Sequence, residues 1–123
     1  MLNRIFGLET EYGLLVNQER PDHSPSWVAQ RIRDHIFHVE RRGVLDLHHR
    51  GHDEPPGNGG FLTNAGRIYI DMGHLEYASP ECTTLADLVA SDRAGDRIIQ
   101  DAVRALGLDE TVSLIKNNID HET

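Results

Sequence analysis

From Ile5 to Val16 the chain alternates in its middle, and as a β-strand it would place Phe6, Leu8, Thr10, Tyr12, Leu14 and Val16 on one face. Ile5, Gly7, Glu9, Glu11, Gly13 and Leu15 share the other. A second alternation runs through Arg67-Ile68-Tyr69-Ile70-Asp71. It puts a cation, a phenol and a carboxylate on one face, and two β-branched residues on the face suited to burial. Phe61-Leu62-Thr63 and Arg67 to Ile70 flank Asn64-Ala65-Gly66, which predicts a hairpin with Gly66 supplying the positive backbone angle. Val44 to Leu47 and Thr111 to Ile115 read as short strands, and Met72 to Ser79 as irregular chain.

Helical spacing replaces alternation in two places. Ser24 caps and Pro25 opens a helix whose buried positions are Val28, Ile32, Ile36 and Val39, with Trp27 flanking and Arg41-Arg42-Gly43 at its end. Thr83 or Thr84 caps a second helix running to about Leu106. Its expected stripe is Leu85, Leu88, Val89, Ile98, Ile99, Ala102, Val103 and Leu106, with Gly107 ending it and Gly95 allowing close packing. The pattern therefore predicts an α+β domain spanning 1–123, with a turn over residues 17–24 and a flexible polar loop over residues 48–60.

Composition narrows the function. Twelve basic and 20 acidic residues give a net charge of −8, which argues against binding a nucleic-acid backbone but leaves room for a nucleotide site. Cys82 is the one cysteine, so no intrachain disulfide can form, as suits a reducing compartment. Met1 leads straight into a strand-like segment with no long apolar run, so a cytoplasmic protein without a membrane span is expected.

Glu9 and Glu11 stand on the same side of their strand, roughly 7 Å apart along the backbone. A solvent-facing edge tolerates such a pair; a cation or hydrogen-bond donor above it would give the pair a role in metal or nucleotide binding. His48, His49, His52, Asp53 and Glu54 crowd into the polar loop and invite a metal reading. Adjacent histidines on a loop rarely form a tetrahedral set, so a mobile polar cover is the simpler expectation. His35 and His38 have nothing near them in sequence to complete a ligand set.

Two stretches together resemble the Pup ligase family, which comprises the Pup–protein ligase (proteasome accessory factor A) and its relative, the Pup deamidase/depupylase. They are Arg4-Ile-Phe-Gly-Leu-Glu-Thr-Glu-Tyr-Gly13 and Asn64-Ala-Gly-Arg-Ile-Tyr-Ile-Asp-Met-Gly-His-Leu-Glu-Tyr-Ala-Ser-Pro-Glu-Cys82. Asp92-Arg93-Ala94-Gly95 and Lys116-Asn117-Asn118 also fall where the family has matching text. The likeness covers nearly the whole chain outside the segment from 17 to 60.

The resemblance implies part of a glutamine-synthetase-like fold, whose curved antiparallel sheet cradles ATP and magnesium on one face and carries helices on the other. It implies that Glu9, Tyr69 and Glu76 hold magnesium, that Arg67 and Ser79 contact the nucleotide, and that Asp71 is the catalytic carboxylate. The implied reaction is ATP-dependent joining of the C-terminal Glu side chain of Pup to a substrate lysine, which tags proteins for the bacterial proteasome. Family members run to several hundred residues, so the chain corresponds to the N-terminal part of a carboxylate–amine ligase-like domain, and such a fragment alone is expected to be inactive. The Leu88-Val89 and Asp92 to Gly95 text favours the ligase. The five-residue step from Asp71 to Glu76 is that of the depupylase, and the loop before Phe61 is longer than in a typical ligase. A non-catalytic segment that binds a nucleotide or a partner is the reading of another class.

Overall fold

Six strands pair into one sheet in the order β2-β3-β4-β5-β1-β6, antiparallel at every junction. They are β1 (Glu9–Val16), β2 (Gly43–Leu45), β3 (Gly59–Leu62), β4 (Arg67–Asp71), β5 (His74–Ala78) and β6 (Val112–Lys116). Helices α1 (Pro25–Asp34) and α2 (Leu85–Ala105) complete the computed structural model, which describes residues 4–17, 23–49, 51–52 and 54–116. The expected α+β class holds. The readings of Asn117 and Asn118, of Asp53 and of most of the turn over 17–24 lie outside the described residues.

The alternation sorts the two sheet faces. Tyr12, Leu14, Ile68, Ile70, Leu75 and Tyr77 are buried with Val28, Ile32 and Ile36 of the α1 arm and Ile99, Ala102 and Val103 of α2. Ser24 caps α1 by accepting the Trp27 N–H at 3.2 Å, and Thr84 caps α2 by accepting the Asp87 N–H at 3.1 Å. Gly95 is where α2 meets the sheet. A Cβ there would lie 2.5 Å from the ring of the fully buried Tyr77, so only glycine permits this approach.

Five expectations need correction. The helical arm closes with a π-helical turn at His35–Val39, and the extra residue in that turn rotates Phe37 into the core and leaves Val39 67% exposed. Met72 to Ser79 is not irregular: Met72 and Gly73, both at positive φ, form a two-residue turn that folds β5 back on β4. In the β3–β4 hairpin the positive φ belongs to Ala65, while Gly66 lies against the Tyr77 hydroxyl where a Cβ would not fit. The buried stripe of α2 begins late, at Gly95, and Leu85 and Val89 in its first turns are exposed. Gly59 and Gly60, read as loop, begin β3.

Candidate functional site

The face of the sheet opposite the helices can be mapped row by row from the strand register. One row runs Val44, Phe61, Arg67, Ala78, Glu9 across β2, β3, β4, β5 and β1. The next runs Gly59, Tyr69, Glu76, Glu11. A third pairs Asp71 with His74 at the β4–β5 turn. Antiparallel pairing thus gathers Glu9, Arg67, Tyr69, Asp71 and Glu76 from three strands onto one open face.

Tyr69 is the centre of this group and only 4% exposed. Its hydroxyl lies against Glu76 Oε2 at 2.5 Å and against Glu9 Oε1. A phenol has one hydrogen to donate, so two carboxylates converge on a single donor. Burial first, then the two neighbouring carboxylates, raise the Tyr69 pKa and keep the phenol neutral. Burial also raises Glu76; its Tyr69 bond offsets part of that, and the charges of Asp71, Glu9 and Glu11 add to it. Small neighbours make this crowding possible. A Cβ on Gly59 would come within 2.3 Å of the Tyr69 Cβ, and Ala78 leaves the space between Arg67 and Glu9 open.

The Arg67 guanidinium sits over the Tyr69 ring, 4.3 Å from its centroid, and reaches Glu54 Oε2 at 3.5 Å. Its buried Nε has no hydrogen-bond partner. Glu54 was not foreseen as a neighbour of the site. The segment after it is tied down by Gly57 N–H to the Asp46 carbonyl at 2.8 Å and by Asn58 to Ile70. Glu11 does not join the Tyr69 group. Its carboxylate pairs with His74 Nδ1 at 3.2 Å, a contact invisible in sequence because it depends on the unforeseen β5.

Ser79 stands apart. Its Oγ accepts the Leu8 N–H and donates to the Pro80 carbonyl, each at 3.0 Å, so its described bonds stitch the approach to β1 onto the exit from β5. His48, His49 and His52 are exposed, and His48 pairs with Asp46 at 2.9 Å. Among the described residues no group of three or more His, Cys, Asp and Glu is arranged to hold a metal ion. The Glu9, Tyr69 and Glu76 set differs in kind, because one of its three oxygens is a phenol. Three oxygen donors short of hydrogens suit a hard divalent cation such as magnesium, so the residues present fit the ion that the resemblance implies.

On the covered face a second polar cluster went unnoticed in the sequence. Tyr12 donates to Asp96 at 2.5 Å and Thr10 to Asp92 at 2.5 Å, while Lys116 Nζ reaches Asp92 at 2.8 Å and Asp96 at 2.9 Å. Burial raises Asp92, but the bonds from Lys116 and Thr10 outweigh it and hold the carboxyl below its usual range.

An open antiparallel sheet face bearing convergent carboxylates, a phenol and a stacked arginine has groups whose chemistry suits cations and phosphates. The family can be named more closely. The model of the family described as Pup-ligase protein matches residues 4–123, and the chain belongs to that family. It is 38% identical over 128 residues to the Pup–protein ligase of Paenarthrobacter aurescens (strain TC1), covering 98% of this chain and 25% of that protein. The Pup–protein ligase of Acidimicrobium ferrooxidans is 35% identical over 129 residues, with the same coverage. A crystal structure of the complex between the prokaryotic ubiquitin-like protein Pup and its ligase PafA superposes with a TM-score of 0.63 at 32% identity. It covers 98% of this chain and 23% of that one. The chain therefore spans about a quarter of the length of the relatives it matches. No helix among the described residues is long and apolar enough to cross a membrane.

Proposed function

We propose that this chain forms the magnesium- and phosphate-facing part of a Pup–protein ligase active site and works as part of a longer ligase in the cytoplasm. The observation that carries the reading is the Tyr69 hydroxyl held between Glu9 and Glu76, with Arg67 stacked on the same ring. The complete enzyme joins the side-chain carboxylate of the C-terminal Glu of Pup to a substrate lysine at the expense of ATP, marking that protein for the proteasome.

Each residue has a definite task. Glu9, Tyr69 and Glu76 hold magnesium through oxygen. When bound, the ion neutralises phosphate charge and so favours transfer of a phosphoryl group to the Pup carboxylate. Arg67, with Nε unpartnered, orients phosphate oxygens; Ser79 contacts the nucleotide by exchanging its bond to the Pro80 carbonyl. A lysine attacking the activated carboxylate is mostly protonated at neutral pH, with a reference pKa of about 10.4. Asp71, at the end of β4 on the open face, takes the proton from the lysine Nζ. Too little of the cradle is present in these 123 residues for turnover, so the isolated chain binds nucleotide weakly and is inactive.

In the full-length protein, Asp71→Asn keeps the side chain's size, removes its charge, and is expected to retain ATP binding while abolishing conjugate. Near-normal conjugation by this variant would make the carboxylate structural. The two-residue turn between Asp71 and His74 gives the short spacing that favours the second reading, a depupylase acting on the Pup amide or isopeptide bond. The ratio of ADP released to bonds made or broken separates them. A ligase consumes one ATP per bond formed, and a depupylase releases no ADP tied to each cleavage.

A further inference from the structure

Of the 12 basic residues in the chain, 11 are arginine and Lys116 alone is lysine. Lysine is among the commonest residues of soluble domains, so the imbalance asks for a cause. Guanidinium chemistry explains some positions. Arg67 lies over the Tyr69 ring and Arg31 over Trp27, 5.5 Å from the ring centroid, where a planar cation stacks well. Stacking does not explain Arg93 and Arg97, which are exposed on α2. There lysine would carry the same charge and favour a helix about equally. What a guanidinium lacks is an amine that can lose its proton and attack a carbonyl carbon.

The single lysine is itself engaged. Lys116 Nζ lies 2.8 Å from Asp92 and 2.9 Å from Asp96, although its side chain is 43% exposed. Partial burial by itself would lower its pKa, but the bonds to Asp92 and Asp96 outweigh this and hold the ammonium above its usual range. Two of its three N–H donors are thus taken by carboxylates that keep the nitrogen protonated.

We infer that this segment is built to escape the reaction it serves: its other cations are arginines and its one lysine is locked to two aspartates, so the ligase does not join Pup to this part of itself. The inference rests on the ligase reading of the site and adds a rule about which lysines the site accepts. In that reaction a neutral lysine Nζ attacks the carbonyl of the acyl phosphate made from ATP. A C–N bond forms, the C–O bond to phosphate breaks, phosphate leaves, and the nitrogen gives up a proton. Neither a guanidinium nor a clamped ammonium offers the lone pair that starts this step. Free amines tethered to the enzyme would meet its activated intermediate at high effective concentration, and the enzyme would tag itself.

The test incubates the full-length protein with Pup, ATP, magnesium and an added lysine-bearing protein, and reads Pup on each lysine by mass spectrometry. Arg31→Lys, Arg93→Lys and Arg97→Lys place amines at exposed positions, and each is expected to carry about tenfold more Pup than Lys116 in the parent. Asp96→Asn keeps the shape of the clamp while removing one of its charges, and is expected to raise Pup on Lys116 about tenfold. Conjugation to the added protein stays unchanged in all four variants. Parent Lys116 labelled as heavily as the introduced amines overturns the inference. So does the absence of Pup at all three introduced amines while the added protein is conjugated, because arginine then protects nothing. Label on Lys116 that stays low in Asp96→Asn overturns the part given to the aspartates. A parent that conjugates no protein at all overturns the ligase reading, and the inference with it.

Discussion

The two faces of the sheet each hold a tyrosine hydroxyl against carboxylates, and the two solutions differ in one respect. On the covered face Asp92 and Asp96 each have a hydroxyl donor of their own, from Thr10 and Tyr12, and share the ammonium of Lys116. On the open face Glu9 and Glu76 share the single hydrogen of Tyr69, and the nearest guanidinium turns its head to Glu54. Similar groups are thus complete in one place and incomplete in the other. A cluster that carries its own cation is a structural clamp between β1, β6 and α2. A cluster that lacks one leaves two carboxylates on a single hydrogen, and in the function proposed above a magnesium ion completes it.

Removing the hydroxyls tests that contrast most directly. Tyr12→Phe takes a charge-assisted bond from a half-buried clamp and is expected to lower stability by about 1.5–3 kcal/mol. Tyr69→Phe is expected to cost clearly less, because its hydroxyl serves two carboxylates that repel each other. Urea denaturation of both variants measures the difference; equal losses would mean that the open-face cluster is as settled as the covered one.

A smaller effect divides the two glutamates of β1. In the full-length protein Glu9→Ala is expected to weaken magnesium-ATP binding about tenfold, or ~1.4 kcal/mol. Glu11→Ala, whose carboxylate faces His74, is expected to change it by less than about threefold. Calorimetric titration with and without magnesium reads both, and equal small changes would take Glu9 off the ion.

Smaller again is the effect of Glu76 on stability, and here the sign depends on pH. Its folded pKa is raised above the ordinary 4.5, so the folded state holds the proton more tightly than the unfolded state. The stability linked to Glu76 is present below that ordinary value and is lost as pH rises through the raised one. Glu76→Gln escapes the loss, and relief of the cross-strand pair with Glu11 adds to its advantage. The variant is expected to be more stable than the parent at pH 7 by about 0.2–1 kcal/mol, with the gain vanishing below about pH 4. Asp92, held low, runs the other way: its stability is present above the ordinary carboxylate range and lost as pH falls. Thermal unfolding of Glu76→Gln and Asp92→Asn across that range reads the two signs, and curves of the same sign would erase the distinction between the faces.

What could be read from sequence follows the same division. Period-two alternation in β1 and β4 assigned both faces, since every second side chain must turn the same way. Four of the six candidate residues, Glu9, Arg67, Tyr69 and Asp71, accordingly meet on one surface, and Glu76 joins them from β5. Ser79 falls outside the alternation of β5, and its hydroxyl faces backbone partners that sequence does not reveal. Strand β5 escaped notice because it is five residues long and opens on a turn whose signal is one glycine beside a methionine forced to positive φ. With β5 went the Glu11–His74 pair and the direct opposition of Tyr69 and Glu76. Val39 was misplaced because helical periodicity assumes 3.6 residues per turn, and a π-helical turn breaks that count. The Lys116 clamp joins residues 24 positions apart in sequence and needed the register of β6 on β1 to be seen.

The smallest expected effect concerns the histidine-bearing loop, which touches neither cluster through its histidines. His48 is 89% exposed on its side chain, and His49 and His52 are exposed as well. Among the bonds described for the Asp46 carboxylate under His48, one comes from the ring and one from the backbone N–H of His48 at 3.0 Å. Only the first depends on the side chain. The joint replacement His48→Ala, His49→Ala and His52→Ala leaves the backbone bond, the Gly57 tie to the Asp46 carbonyl and the Glu54–Arg67 contact untouched. It is therefore expected to shift stability by about 0.5 kcal/mol or less and to leave nucleotide affinity unchanged. A shift of several degrees in melting temperature on adding and then chelating zinc, seen in the parent and absent from the triple variant, would instead make the loop a metal site. It would also add a cation site to the one proposed at Tyr69.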